Sequence, residues 1–125
     1  MKNTELQQFY HKAIEFYGIT SDIDIQFAKM EDFGTATMPS EGTIEIRIRK
    51  GLEGKELYTT VLHELTHAKQ FDQDGFDMFA DGVIHWKGET YTKDTWSYKN
   101  QPWEIEAVAM EKLLYKVFKP SVQRA

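Results

Sequence analysis

The sequence predicts a small α+β domain, in which three helices pack against a short sheet. Three segments repeat apolar residues at helical spacing. Between the first two lie short stretches that alternate apolar and polar residues, as half-buried strands do. The chain has 125 residues, of which 41% are hydrophobic and none is cysteine. This length and composition predict one domain, residues 1–125, that folds without disulfides.

The first half of the chain predicts an N-terminal helix followed by three strands. Residues 4–17 place apolar side chains at helical spacing and precede Gly18, a helix stop signal. Residues 22–28 and 43–49 alternate apolar side chains with charged or polar ones, and residues 34–38 form a weaker strand. We therefore expect a three-stranded, mainly antiparallel sheet with one buried face.

The second half predicts a long helix, a short hairpin and a C-terminal helix. The long helix covers about residues 54–72, and a loop rich in Gly and Asp follows at 73–82. Residues 83–86 and 89–92 flank a Lys-Gly turn, which predicts a hairpin. The last helix starts at a proline and covers residues 102–118. The apolar stripe of the long helix is formed by Leu57, Val61, Leu65 and Ala68.

The composition argues against two classes of partner and favours one location. Fifteen Lys and Arg against 20 Asp and Glu give a net charge of −5, so we expect no nucleic-acid partner. No stretch approaches the roughly 20 apolar residues of a membrane span, so we expect no membrane partner. The N-terminal segment lacks the apolar core of a signal peptide, and cysteine is absent, so we expect a cytoplasmic protein.

One motif in the long helix is suited to metal chemistry. The segment VLHELTH places His63 and His67 four residues apart, one above the other on a single helix face. Two imidazoles at this spacing can bind one metal ion, and Glu64 lies close enough to act on a metal-bound water. The apolar stripe faces the other way, so this helix separates a core face from a metal face.

The motif resembles the active-site helix of the HExxH zinc metallopeptidases, the zincins. The flanking residues that fit the wider zincin pattern are Thr60, Val61, Leu65, Thr66 and Ala68. Lys69 departs from it, because a hydrophobic residue is usual there. The order of elements resembles the minimal catalytic cores of the gluzincin branch, found in small bacterial and phage-encoded proteins.

In gluzincins a downstream helix supplies a glutamate as the third metal ligand. The segment Trp103-Glu104-Ile105, with Ala107 three residues after the glutamate, resembles that ligand segment and favours Glu104. Glu106 is the alternative, and a rotation of about 200° along the helix prevents both from binding one ion. The first-turn position of Glu104 also lets the helix dipole stabilise its carboxylate.

The resemblance leaves the partners of the histidines open. Val108 stands four residues after Glu104, where thermolysin-like enzymes have an aspartate that orients a histidine ligand. Another acceptor must then hold the second ring nitrogen of that histidine. The candidates are Asp72, Asp74 and Glu111.

The resemblance implies a zinc metallopeptidase in which Zn²⁺ is held by His63, His67 and Glu104, and Glu64 is the general base. The substrate would be a peptide or protein, and a partner protein would complete the cleft if one wall is missing. An alternative is a zinc-binding interaction or assembly module with little or no hydrolytic activity. The candidate donors to the oxyanion are His85, Tyr91 and Tyr98.

The resemblance also concerns the strand before the active-site helix. In zincins this strand forms the rim of the cleft and pairs with an extended substrate, which predicts that role for residues 43–49. The alternative is that Glu45, Arg47 and Arg49 only protect an exposed sheet edge from aggregation. Both interpretations place residues 43–49 at the edge of the sheet.

Overall fold

Three helices and two small sheets are present in the computed structural model, which describes residues 2–78, 83–92 and 101–118. The elements are α1 (Lys2–Tyr17), β1 (Asp22–Ala28), β2 (Gly34–Ser40), β3 (Thr43–Arg49), α2 (Gly54–Gln73), β4 (Asp77–Met78), β5 (Ile84–Trp86), β6 (Glu89–Tyr91) and α3 (Pro102–Phe118). The predicted α+β class is confirmed, and the predicted helices and strands agree with the observed ones to within two residues at each end.

The first sheet is mixed, whereas the sequence predicted a mainly antiparallel one. Its order is β1-β3-β2, with β3 parallel to β1 and antiparallel to β2. The parallel pair is in register from Asp22 opposite Thr43 to Ala28 opposite Arg49. The loop at 29–33 carries the chain past the central position, which β3 then fills. Burial accounts for this order, because the three isoleucines of β3 are fully buried while β1 exposes polar residues and Phe27.

The central position of β3 overturns the expectation that residues 43–49 form a sheet edge. Both sides of β3 are hydrogen-bonded, to β1 and to β2, so its backbone has no free side for a substrate. In the described part of the chain, β2 pairs with β3 alone and forms the edge beside α2. Any pairing of an extended peptide with this sheet near α2 therefore involves β2.

The core lies between the sheet and α2. Ile44, Ile46 and Ile48 of β3 are fully buried, and they belong to the same apolar cluster as Val61 and Leu65 of α2. Burying each such side chain contributes about 1.5–3 kcal/mol, so this contact holds α2 firmly on the sheet. The α1 and α3 helices complete the cluster through Leu6, Phe9, Ala13 and Leu114.

The second sheet packs against the start of α3. Its strands β5 and β6 form the predicted hairpin, and Lys87 and Gly88 turn it with φ angles of 51° and 81°. The short strand β4, within the segment predicted as a loop, pairs with the other side of β5. A small apolar cluster joins this sheet to Trp103 and so positions the first turn of α3. None of the described helices is both long and apolar enough to cross a bilayer.

Candidate metal centre

Two histidines of α2 and one glutamate of α3 converge on a single point. Nε2 of His63 lies 3.0 Å from Oε1 of Glu104, and Nε2 of His67 lies 3.1 Å from Oε2 of the same carboxylate. Each of the three side chains offers a ligand atom within 4.8 Å of the other two. The group could therefore bind a metal ion. It is the only such group of His, Cys, Asp or Glu side chains found among the described residues.

The orientation of the first imidazole is set by Glu111. Nδ1 of His63 lies 2.7 Å from Oε1 of Glu111, which stands two helical turns after Glu104 on the same face of α3. Of the three candidate acceptors, the structure brings only this one to a histidine. Asp72 instead accepts hydrogen bonds from residues 20–21, and Asp74 pairs with Lys69 at 2.9 Å.

The orientation of the second imidazole is set by Gln70, a residue not predicted from the sequence. Nδ1 of His67 lies 2.8 Å from Oε1 of Gln70, a fully buried side chain one turn further along α2. The amide nitrogen of Gln70 donates to the Trp103 carbonyl at 2.9 Å and to Glu106 Oε1 at 2.8 Å. The spacing of three residues from His67 is the sequence signal that could have identified it.

Glu106, the alternative third ligand, has different partners. Besides accepting the Gln70 amide, its carboxylate lies 3.7 Å from the ammonium groups of Lys69 and Lys87. The structure therefore brings Glu104 to the imidazoles and uses Glu106 to hold Gln70. Lys69 also gains a structural explanation, because it links Glu106 to Asp74 where the zincin pattern has a hydrophobic residue.

Glu64 lies beside the metal-binding group in a buried position with 6% exposure. A Cβ atom at Gly34, the first residue of β2, would come within 2.9 Å of Cγ of Glu64 and 3.1 Å of its Oε2. Glycine at this position therefore leaves room for the Glu64 side chain. Burial raises the pKa of Glu64 and outweighs the opposing effect of the two histidines, while the carboxylates of Glu104 and Glu111 add to the increase.

The three converging side chains are strongly coupled electrostatically. Burial alone would lower the pKa of His63, but hydrogen bonds to Glu104 and Glu111 outweigh it and raise this pKa to about 10. Burial likewise opposes charge on His67, while the contact with Glu104 raises its pKa. Burial also acts to raise the pKa of Glu104, yet its bonds to both imidazoles hold that pKa well below the usual range. Without a metal, these contacts favour protonated imidazoles and an ionised Glu104.

The metal-binding group opens into a cleft of about 1300 Å³. α2 contributes one side, residues 32–36 a second, and α3 a third. Near His67 the lining is apolar, because Phe76 and Trp103 contribute their rings and the Phe76 ring stacks on His67 with centroids 6.2 Å apart. A cleft open to solvent with an apolar section is suited to an extended ligand.

The two candidate oxyanion donors that lie in the described part of the chain, His85 and Tyr91, do not line the cleft. Nδ1 of His85 lies 3.1 Å from the hydroxyl oxygen of Thr90, and His85 does not line the cleft. Tyr91 packs edge-to-face against Trp103, with centroids 5.2 Å apart, and does not line the cleft either. Both belong to the second sheet, whose apolar face packs on α3. Tyr98 lies outside the described residues.

Comparison with known proteins does not assign a family to this chain. No family model matches it, and no curated protein or solved structure is detectably similar to it. Function must therefore be inferred from the metal-binding group and the cleft themselves.

Proposed function

We propose that the protein is a zinc-dependent metallopeptidase of the HExxH type. The observation that carries this proposal is the convergence of His63, His67 and Glu104 on one point of an open cleft, with Glu64 beside them. Zincins combine the same residue types, as the resemblance of the motif implied. The site residues come from two helices that pack closely together, so they are positioned by the core and not by a loop.

The donor set suits zinc. With metal–ligand bonds of about 2.0–2.1 Å, two ligand atoms of a tetrahedral zinc ion lie about 3.3 Å apart. The carboxylate oxygens of Glu104 lie 3.0 and 3.1 Å from the two Nε2 atoms, so small movements would accommodate the ion. Two imidazoles and one carboxylate leave a fourth position for water, as in catalytic zinc sites, whereas structural sites use four protein ligands.

The chain's own residues have separate tasks in the proposed hydrolysis. Bound zinc would lower the pKa of a coordinated water and polarise the scissile carbonyl. Glu64 takes the proton of the attacking water and passes it to the leaving amine, a role suited to a carboxylate whose pKa is raised. Glu111 and Gln70 accept from Nδ1 of the histidines, which leaves both Nε2 lone pairs directed at the metal position.

The proposed substrate is a peptide in extended conformation. Residues 34–36 of β2 line the cleft, and among the described strands β2 is an edge of its sheet. Backbone groups of an edge strand can hydrogen-bond an extended peptide and hold it along the cleft. In this proposal β2 takes the substrate-pairing role that the resemblance to zincins implied for residues 43–49.

The alternative function, a zinc-binding assembly module with little hydrolysis, has one observation in its favour. Ile105, Val108, Leu113 and Val117 of α3 expose between 42% and 59% of their surface and could contact a partner protein. The set of three ligands argues for catalysis and against a purely structural zinc. A partner on this face would also be compatible with the peptidase.

The first test is the zinc content of untagged protein, measured by elemental analysis after supplying zinc at neutral pH. We expect about one zinc per chain. It should be lost in Glu104→Ala and retained in Glu106→Ala, although weaker binding is expected there. Loss in Glu106→Ala alone would move the third ligand to Glu106. No zinc in the wild-type protein would overturn the metal centre.

The second test is cleavage of a peptide library by the zinc-loaded protein. Glu64→Gln is the matched control, because it preserves the size of the side chain and all three ligands. We expect cleavage by the wild type and none by the variant, with equal zinc content in both. Zinc-loaded protein that cleaves nothing would favour the assembly module. Cleavage retained in Glu64→Gln would remove Glu64 from the mechanism.

A further inference from the structure

Three lysines line the same cleft as the metal-binding group. Lys55 lies in the first turn of α2, and Lys112 and Lys116 lie in the last two turns of α3. Nζ of Lys55 lies 5.5 Å from the centre of the Tyr115 ring, so the end of α3 is next to the start of α2. The three lysines therefore gather at one end of the cleft, which we call the basic end.

These lysines have no carboxylate partner in the described part of the structure. The ion pairs seen there involve Arg47, Lys69, Lys87 and the two histidines of the metal-binding group, but none of the three lysines. Lys112 and Lys116 are one turn apart on α3, where like charges repel each other.

Besides Glu64, Glu104 and Glu111 at the metal-binding group, two acidic residues line the cleft and could offset the charge of the three lysines. Glu56 lies next to Lys55, and Asp32 lies on the opposite side of the cleft. Glu111 is already held by His63. The basic end thus retains an excess of positive charge on a chain whose net charge is −5. Such a local excess attracts a negatively charged ligand and repels a positive one.

The distance from the basic end to the metal-binding group can be expressed in substrate residues. Lys55 precedes His63 by eight residues, which corresponds to about 12 Å along α2 at 1.5 Å per residue. An extended peptide advances about 3.3 Å per residue. A substrate carboxylate at the basic end would therefore lie three or four residues from the cleaved bond.

We propose that the basic end is a specificity subsite for an acidic side chain of the substrate. The ligand is an extended peptide with Asp or Glu three or four residues from the cleaved bond, and Lys55, Lys112 and Lys116 contact its carboxylate. The apolar lining at the other end, around Phe76 and Trp103, receives an apolar side chain. Its description as a substrate subsite rests on the proposed peptidase function, but binding of an acidic peptide does not.

The cleavage test compares the zinc-loaded wild type with Lys112→Gln/Lys116→Gln on a peptide library. We expect about a tenfold preference for Asp or Glu at this distance, about 1.4 kcal/mol, which the double variant loses. The matched control is Lys12→Gln/Lys29→Gln, which removes the same charge from exposed positions outside the cleft and should keep the preference. Cleavage without an acidic preference, or with one that survives in the double variant, would overturn the subsite and leave the peptidase intact.

A binding test removes the dependence on hydrolysis. A fluorescein-labelled decapeptide of glutamate is titrated into zinc-loaded Glu64→Gln protein, with a decapeptide of glutamine for comparison. We expect the glutamate peptide to bind more tightly, and to bind about tenfold more weakly when Lys112→Gln/Lys116→Gln is added. Raising the salt from about 0.05 to about 0.3 M should reduce this difference.

The two tests together separate the subsite from the peptidase. Lysine-dependent binding without any cleavage would contradict the peptidase and keep the basic end as a site for acidic peptides. Equal binding of the glutamate peptide to the double variant and to the Lys12→Gln/Lys29→Gln control would overturn the basic end as a binding site.

Discussion

Replacing Gln70 tests how the structure orients the second histidine. Gln70→Leu keeps the approximate volume and the burial of the side chain but removes the acceptor of His67 Nδ1, which lies at 2.8 Å. It also removes the donor to Glu106 and to the Trp103 carbonyl. The imidazole then loses the partner that fixes its tautomer and ring orientation.

The expected effect of Gln70→Leu on stability and zinc affinity follows from the contacts that Glu106 and His67 retain. The Glu106 carboxylate still has the ammonium groups of Lys69 and Lys87 at 3.7 Å, so removing the Gln70 amide costs it little stabilisation. His67 is buried, and a buried donor left without an acceptor costs about 1–3 kcal/mol. Loss of such an outer partner weakens metal binding about 10- to 100-fold, and each factor of ten corresponds to about 1.4 kcal/mol.

The assay is competition for zinc between the protein and a chelator of known affinity. The matched control is Gln73→Leu, the same substitution one turn further along α2, at an exposed side chain that donates to the Tyr17 carbonyl. We expect the control to bind zinc as the wild type does. Unchanged zinc affinity in Gln70→Leu, or an equal loss in both variants, would refute the proposed orientation of His67.

Exchanging the donor and the acceptor between residues 70 and 106 gives an independent test of how His67 is oriented. Gln70→Glu alone keeps an acceptor for His67 but places a second carboxylate beside Glu106, so zinc affinity and stability should both fall. Adding Glu106→Gln returns an amide donor to the contact between residues 70 and 106, and should restore part of the zinc affinity and part of the stability. A double variant no better than Gln70→Glu alone would show that the contact between residues 70 and 106 does not act through His67.

Three further predictions concern other parts of the molecule. Gly34→Ala should displace Glu64 and lower kcat about 100-fold with unchanged zinc affinity. Loss of zinc would contradict this, because it would mean that the added methyl group displaces the metal ligands. At pH 7 zinc binding should release the proton of His63, and protons from His67 to the extent that its pKa is raised, and it should weaken as pH falls; calorimetry in buffers of different ionisation enthalpy measures this. Burial opposes charge on Asp72, but hydrogen bonds from residues 20–21 lower its pKa. Asp72→Asn should therefore reduce the free energy of unfolding by about 1 kcal/mol at pH 7, less as pH falls below 3.8, and an effect independent of pH would contradict this.

Most of the fold could be predicted because local patterns determine the elements. The alternation of isoleucines in residues 43–49 predicts a strand, and the apolar stripe of residues 54–72 predicts a helix. Both elements are found at these positions. The strand order could not be predicted in the same way, because alternation is a property of one strand and does not specify its neighbours. The burial of β3 between two more polar strands decided it.

The same distinction between local pattern and tertiary packing applies to the candidate site. His63, Glu64 and His67 are neighbours on one helix, and a spacing of four residues places two imidazoles together in any regular α-helix. Glu104 was favoured over Glu106 by its resemblance to a ligand segment and by its place in the first turn. Their actual positions depend on the rotation of α3, which is set by the side chains that this helix buries, namely Trp103, Ala107 and Leu114.

By itself the sequence determined the α+β class, the helix that presents two histidines and the glutamate beside them, since all of these follow from periodicity within one element. Only the tertiary structure decided that β2 forms the edge at the cleft, that Glu111 and Gln70 orient the imidazoles and that three lysines gather at one end. The contacts of Glu104 and Glu111 with His63 join residues 41 and 48 positions apart. Contacts at that separation depend on how the apolar faces of different elements pack, which no local pattern specifies.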